Sequence, residues 1–507
     1  MTTLLKNMLL SFLWLGFISN SNAQTQNEFY NVKDFGAKGD GHNMDGTAIN
    51  QAIEKASEAG GGTIYFPAGS YNSGSIHLRS NICLYIDQGA TLIASADSNQ
   101  FDKPEKSIND IYQDYGHSHF HNSFIWGEDL HDISIIGSGK IWGKGLVRNG
   151  HKGDEQPNKS ISLLGCRNVI IRDITIFHGG WFAILATGVD NLTIDNLKVD
   201  TNRDGFDIDC CKNVKVSNCT VNSPRDDGIC LKSSFALGYA RPTENVTITN
   251  CQVSGYKEGT LLDGTFIKND PENNAPTGRI KFGTESNGGF KNITISNCVF
   301  DDCRGLALET VDGALLEDVT ISNITMRDIT NAPLFIRLSK RMRGPDSIPV
   351  GQCRRIIINN VIAYNVDPAQ GAIVSGLSGH YIQDLQLSNI RIYYKGGGTQ
   401  DEANRIVPEY EKNYPEPDSW KTMPSYGFFI RHVKGLKMHD VQVSFLKNDY
   451  RPPFILDDVK GAILYDIQAE KNTITSSFVL KDVEDVQISQ TKNVKDTSIQ
   501  KAASKNL

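Results

Sequence analysis

A short phrase recurs many times along this sequence and restricts its possible folds more than any other feature. It reads Asn, apolar, any residue, apolar, any residue, Asn, with another apolar residue three positions later. Weaker copies follow almost to the end of the chain, and close neighbours begin 22 to 26 residues apart. Repetition at this spacing indicates a solenoid, in which each unit buries its apolar face on its neighbours. The clearest copies begin at Asn168, Asn191, Asn213, Asn245 and Asn292.

Each unit has the pattern of short strands. Apolar residues alternate at period two, and the β-branched residues Val, Ile and Thr dominate, which favours strands over helices. Units made only of strands and turns stack best as the coils of a parallel β-helix, so the predicted fold class is all-β. The recurrent Asn positions then form internal ladders. Cys219, Cys251 and Cys298 share one position of the phrase, which predicts stacked, buried thiols rather than disulfides.

The N-terminal end of the solenoid needs a cover. Residues 45–59 form the one convincing helix near the start, with apolar side chains on one face, and we interpret it as the cap. The β-helix domain is predicted to span residues 24–492, followed by a polar tail at 493–507. Long irregular stretches near 97–128, 257–289, 338–352 and 396–426 read as loops, which usually carry binding functions when a rigid scaffold presents them.

Residues 1–23 have the pattern of an export signal. Lys6 supplies the positive region, an apolar run of about ten residues follows, and Ser21 to Ala23 form a small-residue cleavage site. That run is too short to span a bilayer, and no later segment is apolar enough to do so. The protein is therefore expected to be periplasmic or secreted, without a membrane span, and we expect a monomer. The formal net charge of −7 disfavours binding to nucleic acid.

Two acidic phrases, at residues 202–209 and 225–233, are candidates for chemistry. Asp204 and Asp226 are 22 residues apart, which is one short coil. Asp204 and one member of the pair Asp226 and Asp227 should therefore lie about 4.8 Å apart across a parallel ladder, with all three carboxylates close together. Clustered carboxylates raise at least one pKa, which supplies the protonated acid and the ionised base that glycosidic cleavage needs. The alternative interpretation is that these aspartates only stabilise turns.

These phrases and several others resemble glycoside hydrolase family 28, the polygalacturonases and their pectin-cleaving relatives. The resemblance covers most of the chain and includes VKDFGAKGDG at 32–41, GGGTIYFPAG at 60–69 and GSGKIWGKG at 137–145. The family's phrases Asn-Thr-Asp-Gly and Asp-Asp, the latter before a Cys-Ile-like strand and Lys-Ser, match at Asp204, Asp226 and Asp227.

The resemblance implies a single-stranded right-handed parallel β-helix, the pectin-lyase-like solenoid. It also implies hydrolysis with inversion, in which Asp226 is the general acid and Asp204 and Asp227 activate water, with no metal or cofactor. The implied substrate is a pectic polysaccharide or oligosaccharide of the plant cell wall.

Two departures from the family concern the grip on the substrate. The usual Gly-His-Gly is missing from the aligned stretch 277–285, and the usual Arg-Ile-Lys aligns with 307–309, where Glu309 replaces a base. We therefore expect that Glu309 no longer faces a substrate carboxylate. The sugar in that subsite is then either neutral, as in a rhamnose-containing or branched pectin, or a uronate held by Arg279 and Lys281, which lie two residues apart on one strand face and restore positive charge nearby. The candidate substrate-binding residues are Asn202, His178, Trp181, Lys232, Arg279, Lys281 and Glu309.

Two other functions fit parts of the same pattern. One is a β-helix lyase that cleaves uronate polymers by β-elimination, with Ca²⁺ held by the three aspartates. The other is a carbohydrate-binding β-helix without turnover. The three carboxylates argue against a pure binding protein, because binding gives no reason to assemble groups that repel one another.

Overall fold

The computed structural model describes residues 29–151, 153–270 and 275–507. The predicted export signal lies outside the described residues. The described chain winds into one continuous sheet of 34 strands, and every strand pair is parallel except the last. This is the predicted parallel β-helix. In the described part of the chain, no helix is both long and apolar enough to cross a membrane.

The N-terminal part contains the cap and the first coils. Helix α1 spans Gly46–Glu58 and buries Ala48, Ile49, Ala52, Ile53 and Ala56, the apolar face expected from the sequence. The strands here are β1 Phe29–Asn31, β2 Asp40–Met44, β3 Gly62–Phe66, β4 Gly69–Ser73, β5 Ile76–His77, β6 Ile82–Ile86, β7 Ala90–Ala94, β8 Ile125–Glu128, β9 His131–Ile136 and β10 Lys140–Trp142.

The middle coils are regular, with three strands in each turn of the solenoid. Strands in equivalent positions of successive coils pair in register, as β14 pairs with β17 and β17 with β20. The strands are β11 Lys159–Leu164, β12 Arg167–Arg172, β13 Thr175–Phe177, β14 Phe182–Thr187, β15 Asp190–Asp195, β16 Lys198–Asp200, β17 Asp204–Asp209, β18 Lys212–Ser217, β19 Thr220–Asn222, β20 Ile229–Ser233, β21 Thr243–Thr249 and β22 Gln252–Ser254.

The C-terminal coils have longer strands, and a short helix α2 spans Gln400–Ala403. The last residues depart from the expected tail, because β34 pairs antiparallel with β33 and ends the sheet. The strands are β23 Ile280–Ser286, β24 Phe290–Asp301, β25 Leu306–Thr310, β26 Leu315–Arg327, β27 Leu334–Leu338, β28 Gln352–Val366, β29 Ala372–Ser375, β30 Ile382–Gly396, β31 Phe428–Lys447, β32 Phe454–Ala469, β33 Phe478–Ser489 and β34 Thr497–Asn506.

The repeated asparagines form a ladder, but not inside the solenoid. Asn191 donates to Asn168, Asn213 to Asn191, and Asn245 to Asn213, through side-chain amides 2.8 to 3.1 Å apart. All four have φ between 54° and 57° and are exposed. The internal ladder was therefore a wrong prediction: asparagine tolerates the left-handed backbone of a corner, and the corner points the side chain to solvent.

The cysteines behave as the sequence predicts. Cys219, Cys251 and Cys298 occupy equivalent positions in successive coils and are buried in the single apolar core that runs the length of the solenoid. All ten cysteines are free thiols. Shape-matched apolar packing, rather than cross-linking, therefore holds successive coils together.

One of the three faces of the solenoid, with the turns that lead into its strands, carries most of the site residues predicted from the sequence. We call it the site sheet, and it consists of strands β8, β11, β14, β17, β20, β23, β25, β27, β29 and the first part of β31. Four long connections lie over or beside it, close to the loops expected from the sequence. They are loop A (95–124), loop B (the described residues 255–270 and 275–279), loop C (339–351) and loop D (397–427).

Candidate active site

The outer face of the site sheet changes from apolar to charged and back to apolar along the solenoid. At one end, loop A packs Phe120 against Phe182 and Leu185 of β14. At the other end, loop D packs Trp420 and Met423 against the outer faces of β25, β27, β29 and β31. The strands between, β17, β20 and β23, present acids and bases outward. The apolar contacts thus cover the sheet on both sides of a charged patch.

Three carboxylates meet in this patch, as the one-coil spacing predicts. Asp204 begins β17, and Asp226 and Asp227 lie in the turn before β20. One oxygen from each of the three side chains lies within 4.8 Å of the others. The backbones of the two turns approach closely at Gly205, where a Cβ atom would lie 2.2 Å from the carbonyl oxygen of Gly228. Glycine is therefore required there for the carboxylates to converge.

Asp204 and Asp227 are both buried, yet their pKa values shift in opposite directions. Burial, together with the charges of Asp226 and Asp207, raises the pKa of Asp204 well above its usual value. Burial opposes ionisation of Asp227 as well, but Lys281 and Arg279 outweigh it and lower the pKa of Asp227. Arg279 Nε donates to Asp227 at 2.8 Å, and Lys281 Nζ lies 3.3 Å from its other oxygen. These opposite shifts favour the protonated form of Asp204 and the ionised form of Asp227.

Asp226 is the accessible member of the cluster, with 28% of its side chain exposed. Arg203 Nη2 donates to Asp226 Oδ2 at 2.7 Å and lies 4.0 Å from Asp204. Sequence analysis missed Arg203, although a signal was present: it replaces the threonine of the family's Asn-Thr-Asp-Gly phrase.

Arg279 and Lys281 do not stand free to bind a substrate carboxylate. Their side chains are 1% and 3% exposed, and each points to acids of the protein itself. Besides Asp227, Arg279 contacts Glu416 of loop D, and Lys281 Nζ lies 3.6 Å from Glu416 and 3.8 Å from Glu309. The expected role in substrate binding is thus replaced by an ionic support under Asp227, because loop D brings a carboxylate from 137 residues away.

Glu309 is completely buried and does not line an open surface. Burial raises the pKa of Glu309 to about 8. Neither of its carboxyl oxygens has a hydrogen-bond partner among the described residues, and Lys281 is its nearby cation. The structure places Glu309 one coil beyond Lys281, beside the ionic support of Asp227, rather than in contact with the solvent-exposed mouth.

Lys232 is also buried and supports the floor of the patch. Its Nζ lies 2.9 Å from Glu285 and 3.8 Å from Asp207. His117 of loop A covers the same aspartate, with Nε2 2.8 Å from Asp207 Oδ2. His117 could not be found from the sequence, because 90 residues separate it from its partner.

The remaining predicted substrate residues lie beside the cluster. His178 is half-buried, with Nδ1 2.9 Å from Arg148 Nη2 and 3.0 Å from Glu258. Trp181 is 6% exposed, stacks on Phe182, and has the Arg203 guanidinium 4.8 Å from its ring centre, so its faces are not a free platform for a sugar.

Asn202 is partly exposed, and its carbonyl oxygen accepts a hydrogen bond from the backbone of Arg225 in the next coil. It therefore lies in the turn that leads into β17, one residue before Arg203.

Two family models match the chain. The model described as rhamnogalacturonase A/epimerase, pectate lyase-like, matches residues 29–153, and the model of a right-handed β-helix region matches residues 111–275. Together they cover the cap and the coils that contain the three aspartates.

Individual proteins resemble the chain over most of its length. A probable polygalacturonase of Vitis vinifera is 24% identical over 391 residues, which are 71% of this chain and 73% of that protein. A family 28 exopolygalacturonase of Yersinia enterocolitica has a similar structure, with a TM-score of 0.65 and 18% identity over 88% of this chain and 79% of that one. The structure of an exopolygalacturonase of Thermotoga maritima is also similar, with a TM-score of 0.59 and 18% identity over 94% of this chain and 95% of that one. These matches confirm the right-handed parallel β-helix and the resemblance to glycoside hydrolase family 28.

Proposed function

We propose that this chain, a polygalacturonase-like glycosidase, is an exported enzyme that hydrolyses glycosidic bonds of pectic polysaccharides or oligosaccharides with three aspartates. The observation that carries the proposal is the convergence of Asp204, Asp226 and Asp227 within 4.8 Å. The names of its relatives support the substrate class, since they are polygalacturonases. The pattern of residues 1–23 supports export.

The proposed mechanism uses the three carboxylates in two roles. Asp204 and Asp226 share one proton, because the buried Asp204 does not ionise readily beside the negative charge of Asp226. Asp226, the accessible member, gives that proton to the glycosidic oxygen as the bond from the anomeric carbon breaks. Asp227, kept ionised by Arg279 and Lys281, takes a proton from the water whose oxygen bonds to that carbon. Asp204 orients the same water.

Inversion is proposed from the family resemblance. A two-carboxylate inverting site usually needs a separation of about 6.5 to 9.5 Å to admit water, and a retaining site about 5 to 5.5 Å. The closest oxygens here are nearer than either range. All three pairs of carboxylates lie within 4.8 Å by these oxygens, so the separation does not distinguish the two outcomes, and the anomer of the product decides between them.

The cations around the aspartates favour hydrolysis over a Ca²⁺-dependent lyase. Arg203 lies 2.7 Å from Asp226, and Arg279 and Lys281 lie 2.8 and 3.3 Å from Asp227. A divalent cation would have to bind beside these three positive charges, which costs electrostatic energy. Protonated and ionised carboxyl groups side by side also favour an enzyme over a non-catalytic carbohydrate-binding protein.

The covered surfaces on both sides of the aspartates favour action at chain ends. Loop A and loop D pack on the site sheet on either side of the charged patch. Arg343 of loop C, which also contacts Glu285 of the floor, reaches loop A through Asp114 at 3.1 Å. An open groove for a long polymer is thereby interrupted, and we propose that a terminal residue enters the site.

Product analysis tests this function. The enzyme is incubated with homogalacturonan, rhamnogalacturonan and short oligogalacturonides, and proton NMR records the products and the anomer first formed. We expect one pectic substrate to yield monomers or dimers from the start, with inverted configuration at the new reducing end. Retained configuration would contradict the mechanism, early release of mixed long oligomers would contradict action at chain ends, and no cleavage of any pectic substrate would contradict the proposed function.

A further inference from the structure

Arg203 occupies an unusual position for a surface arginine. It directly precedes Asp204 in sequence, it donates to Asp226 at 2.7 Å, and it lies 4.0 Å from Asp204. Its side chain is 28% exposed, so the guanidinium contacts two catalytic carboxylates and the solvent at the mouth of the site.

Two contacts fix the plane of this guanidinium without using all of its donors. Trp181 packs 4.8 Å beneath it, and Arg203 Nη1 donates to the carbonyl oxygen of Arg148 at 3.1 Å. A guanidinium carries five N–H groups. Among the described residues it donates to the Arg148 carbonyl and to Asp226, so part of its donor edge remains available to a ligand.

Two other arginines near the mouth have acid partners outside the catalytic cluster. Arg148 pairs with Glu258, and Arg343 pairs with Glu285 and Asp114. In the part of the chain that the structure describes, the ion-pair partners of Arg203 are Asp204 and Asp226 alone.

We infer that Arg203 selects a carboxylate on the substrate: it pairs with Asp226 in the free enzyme and turns to a uronate carboxylate when the sugar binds. This inference rests on the proposed function and deepens it by assigning an acidic sugar to the subsite beside Asp226. Arginine binds carboxylates through two parallel hydrogen bonds, so the substrate can replace Asp226 as its partner without loss of geometry. Without such a cation, three aspartates would repel a uronate.

The exchange also links substrate binding to the acid. When the guanidinium leaves Asp226, that carboxylate faces Asp204 without a counter-charge, and the proton shared by the two is retained near the leaving oxygen. The other charged groups that face this region are Asp207 and Lys232 of the site sheet, Asp227 of the cluster and Asp114 of loop A. Arg203 is thus a specificity-determining residue that also positions the acid, and no bond is made or broken at Arg203.

The first test measures affinity rather than turnover. Binding of galacturonate, which has no glycosidic bond to cleave, and of its methyl ester is measured by calorimetry for wild type, Arg203→Gln and the control Arg172→Gln, an exposed arginine of β12. We expect wild type and R172Q to prefer the acid at least tenfold. R203Q should bind the acid at least tenfold more weakly than wild type does, and the ester less than threefold more weakly. Equal affinity of wild type for both ligands, or an unchanged preference in R203Q, would overturn the inference.

The second test separates positioning from a structural effect. Arg203 favours the ionised form of Asp204, so its removal should raise the pKa of the carboxyl pair and move the high-pH limb of kcat/KM upward by about one pH unit or more. Arg203→Lys should return the high-pH limb of kcat/KM to its wild-type position, but it should restore only part of the affinity for the acid. If R203Q does not fold, R203K takes its place, and full acid affinity in R203K would contradict bidentate selection. If no pectic substrate is hydrolysed but binding of the acid still depends on Arg203, the proposed function is refuted and this inference is supported.

Discussion

Replacing Asp226 with asparagine is expected to lower kcat by about 10²- to 10⁴-fold on whichever pectic substrate the wild type cleaves. The amide cannot deliver a proton to the glycosidic oxygen, whereas its size and its place in the turn before β20 are unchanged. Because Asp226 is partly exposed and its removal relieves repulsion from Asp204, the fold should be retained.

The measurement is kcat and KM together with a urea unfolding curve. Asp263→Asn is the matched control. Asp263 is an exposed carboxylate of loop B, and among the described residues it accepts hydrogen bonds from the backbone and the hydroxyl group of Thr265. We expect the control to keep wild-type activity. A D226N enzyme that retains more than a tenth of wild-type kcat would show that another group donates the proton.

Replacing Arg279 with methionine is expected to cost about 3 to 5 kcal/mol of unfolding free energy and most of the activity. The change leaves Asp227 and Glu416 buried without the arginine that contacts both of them. Asp227 would then bind a proton more readily and act poorly as a base. This differs from the effect expected from sequence, where Arg279 was a surface group whose loss weakens binding of acidic substrates.

Urea unfolding followed by tryptophan fluorescence measures the stability, with Arg304→Met as the control. Arg304 contacts the same Glu416 at 2.9 Å, but its side chain is 19% exposed, so its loss should cost about 1 kcal/mol or less. Equal losses for the two variants, or a loss below 1 kcal/mol for R279M, would contradict a buried ionic support under Asp227.

The sequence contains the fold in its repeat. Period-two alternation and the recurring phrase determine which residues stack, so the cysteine stack and the meeting of Asp204 with Asp226 and Asp227 could be predicted. The capping helix could be predicted from its own apolar face. The sequence pattern could not predict that the asparagine ladder lies outside the solenoid. A strand pattern describes alternation within strands, whereas these asparagines lie at left-handed corners between strands, which follow a different geometry.

The residues that hold the catalytic side chains in place make contacts over long sequence distances, which no local sequence pattern predicts. Glu416 reaches Arg279 across 137 residues, and His117 reaches Asp207 across 90. Both come from long irregular loops whose course over the site sheet is set by packing, as Trp420 of loop D packs on the sheet. Without loop D, Arg279 and Lys281 would be outward cations on a strand, which is how the sequence presents them.

Hydrolysis in water labelled with heavy oxygen tests the central claim most directly, because it reports where the bond-forming oxygen comes from. The substrate is the pectic oligosaccharide cleaved fastest, and mass spectrometry and ultraviolet absorbance follow its products. We expect one heavy oxygen at each new reducing end, no absorbance from an unsaturated uronate, and labelling that is about 10²- to 10⁴-fold slower in D226N. An unsaturated product without heavy oxygen would instead show β-elimination and would contradict hydrolysis by the three aspartates.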